Sequence, residues 1–177
     1  MFTIVATVTL PYPAEAVFAA LASVEGTVRW QSGVRCVRRG RAPDADAGAP
    51  GAAPGGPASG DPLPPLVLHY WALGVRHALR TRVTAHQPPE HFAYRAEGDR
   101  LAYHATFDVA PAPVGCHVTC TVALGREREP DADSVRLRRL LARRLPRDLA
   151  RLEAWVAVQP GARRRAGGDP VVEAQPH

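Results

Sequence analysis

The sequence predicts an α+β domain: a curved, seven-stranded antiparallel sheet wrapped around one long C-terminal helix, with two small helices between the first and second strands. Three observations predict it. Between residues 134 and 158, Leu137, Leu141, Leu145, Leu149, Leu152 and Val156 recur at spacings of four and three. That spacing puts them on one stripe of a helix, which Leu140 and Trp155 widen. Between residues 66 and 124, five short segments are separated by Gly74, Pro88-Pro89, Gly98-Asp99 and Pro111 to Gly115, connections of hairpin length. The chain also opens on Phe2, Ile4, Ala6, Val8 and Leu10 alternating with Thr3, Thr7 and Thr9, the period of a strand with one wet face.

The elements follow in order. Pro11 and Pro13 end the first strand, and Pro13 is well placed at the start of a helix carrying Val17, Phe18 and Leu21. Val24 to Trp30 fits a second short helix or turn that Gly33 ends, and a strand resumes over 34–39. Ala42 to Pro65 is nearly all alanine, glycine, proline and aspartate. It has too little apolar surface to offset the entropy of ordering, so a disordered insertion is expected at 42–65. Strands are then expected at 66–73, 75–86, 91–97, 101–109 and 116–124.

A two-residue loop at Gly98-Asp99 pairs Glu97 with Arg100 and sets Tyr94 opposite Tyr103. Phe92, Tyr94, Ala96, Tyr103, Ala105 and Phe107 then share an apolar face, continued by Cys116, Val118 and Cys120. Arg95, Glu97, His104, Asp108 and His117 point the other way, with Asp108 facing His117. Leu73-Gly74-Val75 allows two pairings, which send opposite members of His69, Tyr70 and Trp71 inward. In the long helix Pro146 falls opposite the leucine stripe, so the helix either kinks with the proline outside or breaks at Leu145. Residues 159–177 show no periodicity and read as a disordered tail, leaving 1–158 as a single domain.

A chain of 177 residues, 46% apolar, supports one domain with a real core. No apolar run approaches membrane-spanning length and no basic segment precedes an apolar one at the N-terminus, so a cytoplasmic protein is expected. Cys36, Cys116 and Cys120 are an odd number, which suits reduced thiols; Cys116 and Cys120 would lie about 13 Å apart on one strand, beyond disulfide reach. All 22 basic residues are arginine. Arg136, Arg139, Arg143, Arg147 and Arg151 stripe the long helix away from the leucines, the ordinary solvated face of a lysine-free protein. The alternative is an interaction module working through that face. No aromatic residues alternate with the stripe, so a nucleic-acid partner is not expected.

Pro13-Ala14-Glu15-Ala16-Val17-Phe18, followed by Leu21, Val24 and Trp30-Gln31-Ser32-Gly33-Val34, resembles the opening of the START/polyketide-cyclase (SRPBCC, helix-grip) superfamily in its bacterial polyketide cyclase/dehydrase-like branch. Leu149-Ala150-Arg151-Leu152-Glu153 is similar to its closing helix. The resemblance covers residues 2–158 apart from the insertion. It implies a cavity between sheet and long helix that takes lipids, polyketides or other apolar molecules, sometimes with catalysis.

The candidate ligand-binding residues are Trp30, His77, Thr81, Tyr94, Tyr103, Phe107, Leu141 and Leu145. The parity of the 75–86 strand turns His77, Leu79, Thr81 and Val83 inward, where His77 and the tyrosines are placed to orient a carbonyl or transfer a proton. Trp30 is either a gate or, preferably, the plug of the helix–sheet corner. His86, Glu90 and His91 flank one connection, but they point to the wet face. HExxH, CxxC and HxE…PCxxC spacings are absent from the sequence, so neither metal nor cofactor is expected. The expected function is binding or carriage of a hydrophobic small molecule, lipid- or polyketide-like, without stable membrane insertion. The alternative is a cofactor-independent cyclase or dehydratase using pocket histidine and tyrosine. Oligomeric state stays open.

Overall fold

A computed structural model describes residues 2–39, 66–99, 101–124, 132–159, 161–163 and 172–175. The insertion expected at 42–65 lies outside them. The elements are β1 (Phe2–Leu10), α1 (Ala14–Ala22), α2 (Val24–Trp30), β2 (Val34–Arg39), β3 (Leu66–Ala72), β4 (Val75–Gln87), β5 (His91–Glu97), β6 (Ala102–Pro111), β7 (Cys116–Leu124), α3 (Ala132–Ala157) and β8 (Val172–Gln175). The sheet order is β2-β3-β4-β5-β6-β7-β1-β8. The expected seven strands and terminal helix are all present, in the helix-grip arrangement.

The eighth strand is a departure. Residues 172–175, expected to belong to an irregular tail, pair antiparallel with β1 from Val5↔Gln175 to Val8↔Val172. The open edge of β1 supplies the reason: an edge strand exposes unpaired backbone groups that any extended segment within reach can satisfy.

Two hairpin registers also differ from expectation, each by two residues. Glu97 pairs with Ala102, and Tyr94 stands opposite Ala105 while Tyr103 stands opposite Ala96. The loop is longer than two residues because Gly98 N donates to Leu101 O at 2.8 Å and closes a wider turn. In the β6–β7 hairpin, Asp108 faces Thr119 and His117 faces Ala110, so Asp108 and His117 do not meet. Asp108 instead lies 2.7 Å from His91 Nδ1, and His117 Nδ1 lies 2.8 Å from Thr9 Oγ1. Side chains alternate with a period of two, so a slip of two preserves each residue's face. Phe92, Tyr94, Ala96, Tyr103, Ala105 and Phe107 are all buried as expected.

The β3–β4 turn resolves the open pairing. Leu73 (φ 51) and Gly74 (φ 78) both adopt left-handed backbone, the two-residue hairpin geometry, and Ala72 pairs with Val75. Leu68, Tyr70 and Ala72 therefore face inward and are buried, while Trp71 faces out.

α3 runs unbroken through Pro146. Its second half is anchored: Leu149, Leu152 and Val156 are fully buried. Its first half is only half-buried at Leu137, Leu140, Leu141 and Leu145, which pack on the core from outside. The five arginines of the opposite stripe are exposed.

Candidate functional site

The loosely packed half of α3 leaves a cavity of about 50 Å³ against the sheet. Its apolar wall comes from inward positions of β1, β6 and β7, including Ile4, Ala105, Phe107 and Cys120, and from Leu141 and Leu145 of α3. Trp30 closes it at the end of α2, edge-on to Phe107 at 5.8 Å, and Phe107 stacks on Tyr94 at 6.2 Å. Trp30 is almost fully buried there. It also carries something unexpected: its buried indole N–H has no hydrogen-bond partner among the described residues.

Six of the eight sequence-predicted residues meet at this wall: Trp30, Tyr94, Tyr103, Phe107, Leu141 and Leu145. The other two do not reach it. Thr81 is buried on the inner face, but its hydroxyl donates to Leu66 O at 3.0 Å and serves the β3–β4 ladder. His77 shares that face, opposite Tyr70 beside the β3–β4 turn, and is half-buried outside the wall.

The polar groups at the wall fall into two sets. In the first, Gln31 Nε2 donates to the Tyr94 hydroxyl at 3.1 Å, and the Tyr103 hydroxyl interacts with that of Tyr94. Burial pushes Tyr94 up to about 12, and burial with the neighbouring Tyr94 holds Tyr103 well above its ordinary value. Both phenols stay protonated and act as hydrogen-bond donors, not bases. Burial likewise raises the Cys120 thiol, leaving it a small apolar wall residue with no thiolate to react.

The second set was missed by the sequence reading: Tyr70, Arg144 and Asp148. Gly33 lies so close beneath the Tyr70 ring that a Cβ there would overlap it, which is why glycine precedes β2. Arg144 Nη1 donates to Trp71 O at 2.8 Å, and its guanidinium interacts with the Tyr70 hydroxyl. Asp148 is buried, and its Oδ1 accepts the Ser32 N–H at 3.0 Å. A signal was available, because Asp148 follows Leu141 by seven and precedes Leu152 by four, positions on the same helical stripe. Arg144 follows Leu137 by seven and belongs to the same face.

Burial raises the Asp148 carboxyl above the usual carboxylate range, against the opposing pull of the Ser32 hydrogen bonds, Arg151 and Arg144. A raised acid binds its proton more tightly in the folded chain. Its stabilising contribution is therefore present below the ordinary carboxylate pKa and lost as pH rises through the raised one. At neutral pH the ionised group is a net cost. Asp148→Asn, which keeps an acceptor for Ser32, is expected to raise Tm at neutral pH. Thermal melts across pH should show that advantage vanish in acid, where both side chains are neutral.

The fold agrees with known proteins. The family model described as "Polyketide cyclase / dehydrase and lipid transport" matches residues 1–157. No curated protein matches the chain. Among solved structures, a START superfamily protein from Mycobacterium smegmatis is similar at 16% identity and a TM-score of 0.63, over 88% of this chain and 97% of that one. Protein CV1439 from Chromobacterium violaceum is similar at 19% identity and a TM-score of 0.58, over 89% and 99%. Ara h 8.0201 is similar at 13% identity and a TM-score of 0.60, over 89% and 99%. At such identities the structures speak for the fold, and the family model for descent: the chain belongs to the polyketide cyclase / dehydrase and lipid transport family.

Proposed function

We propose that the protein binds and carries a largely apolar small molecule bearing one oxygen function, held in the cavity between the sheet and α3. The observation that carries this reading is the wall itself. Its lining is aromatic and aliphatic, and it includes Trp30, whose buried N–H has no partner among the described residues, and the protonated tyrosines. An unsatisfied buried donor costs about 1–3 kcal/mol, which a ligand oxygen reaching it would recover.

The size of the cavity sets a condition. An engineered cavity of about 150 Å³ holds benzene, so the 50 Å³ here must widen for a lipid- or polyketide-sized guest. The half-buried first half of α3 is the wall that can move, since the second half is locked in the core.

A second reading, an acid–base enzyme of cyclase or dehydratase type, is favoured by one observation, the buried Asp148 carboxyl on the wall. In that reading Asp148 takes the part first given to His77, with the tyrosines orienting the substrate.

Native mass spectrometry of the full chain purified from its own host is the test. The expected result is a bound apolar molecule. Added 2-naphthol should bind too, roughly tenfold or more weakly to a Leu141→Trp variant that fills the cavity, equivalent to about 1.4 kcal/mol. A chain that carries no adduct and takes up no 2-naphthol overturns the proposal. Conversion of the bound molecule during incubation favours the enzyme.

A further inference from the structure

The outer face of β2, β3 and β4 plays no part in the cavity, and its composition is unusual. Arg35 and Arg38 of β2 and Arg76, Arg80 and Arg82 of β4 are all exposed there. No aspartate or glutamate occurs within β2, or between residues 62 and 89. Glu90 follows in the β4–β5 turn, and Glu97 of β5, which stands opposite Arg80, is already 2.6 Å from Arg95. At one end of this basic face the β3–β4 hairpin projects Trp71 (43% exposed), Leu73 (42%) and Val75 (48%). These are three of the six exposed large hydrophobic residues among those described, within five consecutive positions.

The backbone sharpens the point. Leu73 sits at φ 51, where glycine or asparagine is easier to accommodate. The hairpin turn requires that backbone but not a leucine, and the Leu73 side chain is exposed, so the fold itself gains little from it. Arg76 stands directly opposite Trp71, and Arg144 grips the Trp71 carbonyl from α3.

We propose that the Trp71–Val75 hairpin tip, with the arginine face behind it, docks the protein peripherally on an anionic lipid surface. Tryptophan and aliphatic side chains suit the boundary between headgroups and acyl chains, and arginines beside them suit anionic headgroups. A single-stranded nucleic acid would use aromatic rings along the sheet face for stacking, and here Leu73 and Val75 offer it nothing. Docking this way sets two residues of the cavity wall next to the bilayer: Tyr70, which precedes the tip in sequence, and Arg144, which holds the Trp71 carbonyl from α3.

Cosedimentation of the full chain with phosphatidylcholine vesicles, with and without phosphatidylglycerol, tests it. Binding is expected only to the anionic vesicles, and should weaken as salt is raised. The Trp71→Ser/Leu73→Ser variant, changed only at exposed positions, should lose it while keeping the parent Tm. Arg76→Glu/Arg80→Glu should weaken it by roughly fivefold per arginine or more. The proposal is overturned if neutral vesicles bind equally well, if the tip variant binds like the parent, if nothing binds, or if polyuridylate is captured in place of vesicles.

Discussion

Gly115→Ala is expected to destabilise the protein by roughly 3–5 kcal/mol, the combined cost of a left-handed backbone and a clash with atoms that cannot yield. Gly115 has φ +86, and a Cβ there would overlap the carbonyl oxygen of Leu10 and crowd Pro11 and Tyr12. All three contacts are backbone, fixed where β1 hands over to α1. Gly74→Ala is the control: its φ is +78, yet nothing lies within 4 Å of the added atom. It should cost only about 1–2 kcal/mol, the conformational part alone. At about 2–4 °C of Tm per kcal/mol for a chain of this size, calorimetry separates the two easily. Equal losses would show that the Leu10–Tyr12 contact adds nothing.

The second large effect divides α3. Leu149→Ala should cost about 3–5 kcal/mol, because the side chain is fully buried and its neighbours cannot collapse into the space. Leu141→Ala, half-buried on the cavity wall, should cost about 1–2 kcal/mol and enlarge the cavity. The measurements are chemical denaturation for both and 2-naphthol affinity for the milder variant. The Leu141→Ala protein should bind the probe at least as tightly as the parent. Similar losses at the two positions would mean that the helix packs uniformly and has no movable half.

Much of this was legible in the residues, for reasons the registers make plain. Hydrophobic alternation determines a strand's face but not its partner, so Tyr94 and Tyr103 were correctly placed inward although their assigned pairing was two residues out. Loop chemistry was the weak link. Gly98-Asp99 resembles a tight turn, and only the bond from Gly98 to Leu101 shows that it is wider. The leucine stripe locates the cavity-facing side of α3, and that same stripe carries polar residues as well. Asp148 and Arg144 carry charge, which ordinarily faces solvent, yet their spacing of seven from Leu141 and Leu137 places them on the inward stripe. Tyr70 depended on a turn with two possible pairings, and the left-handed Leu73 that chooses between them leaves no mark in composition. Cavity volume is a matter of side-chain packing, which periodicity does not address.

Pro146 lies at the boundary between the two halves of α3 and has no amide hydrogen to offer the carbonyl four residues earlier. The ladder of backbone bonds is interrupted there even though the rod is continuous. In deuterium exchange, amides beyond residue 148 should stay protected about as long as the core does, whereas those before the proline should label early. One helix would then behave as two cooperative units, which lets its front turn breathe without unzipping the rest.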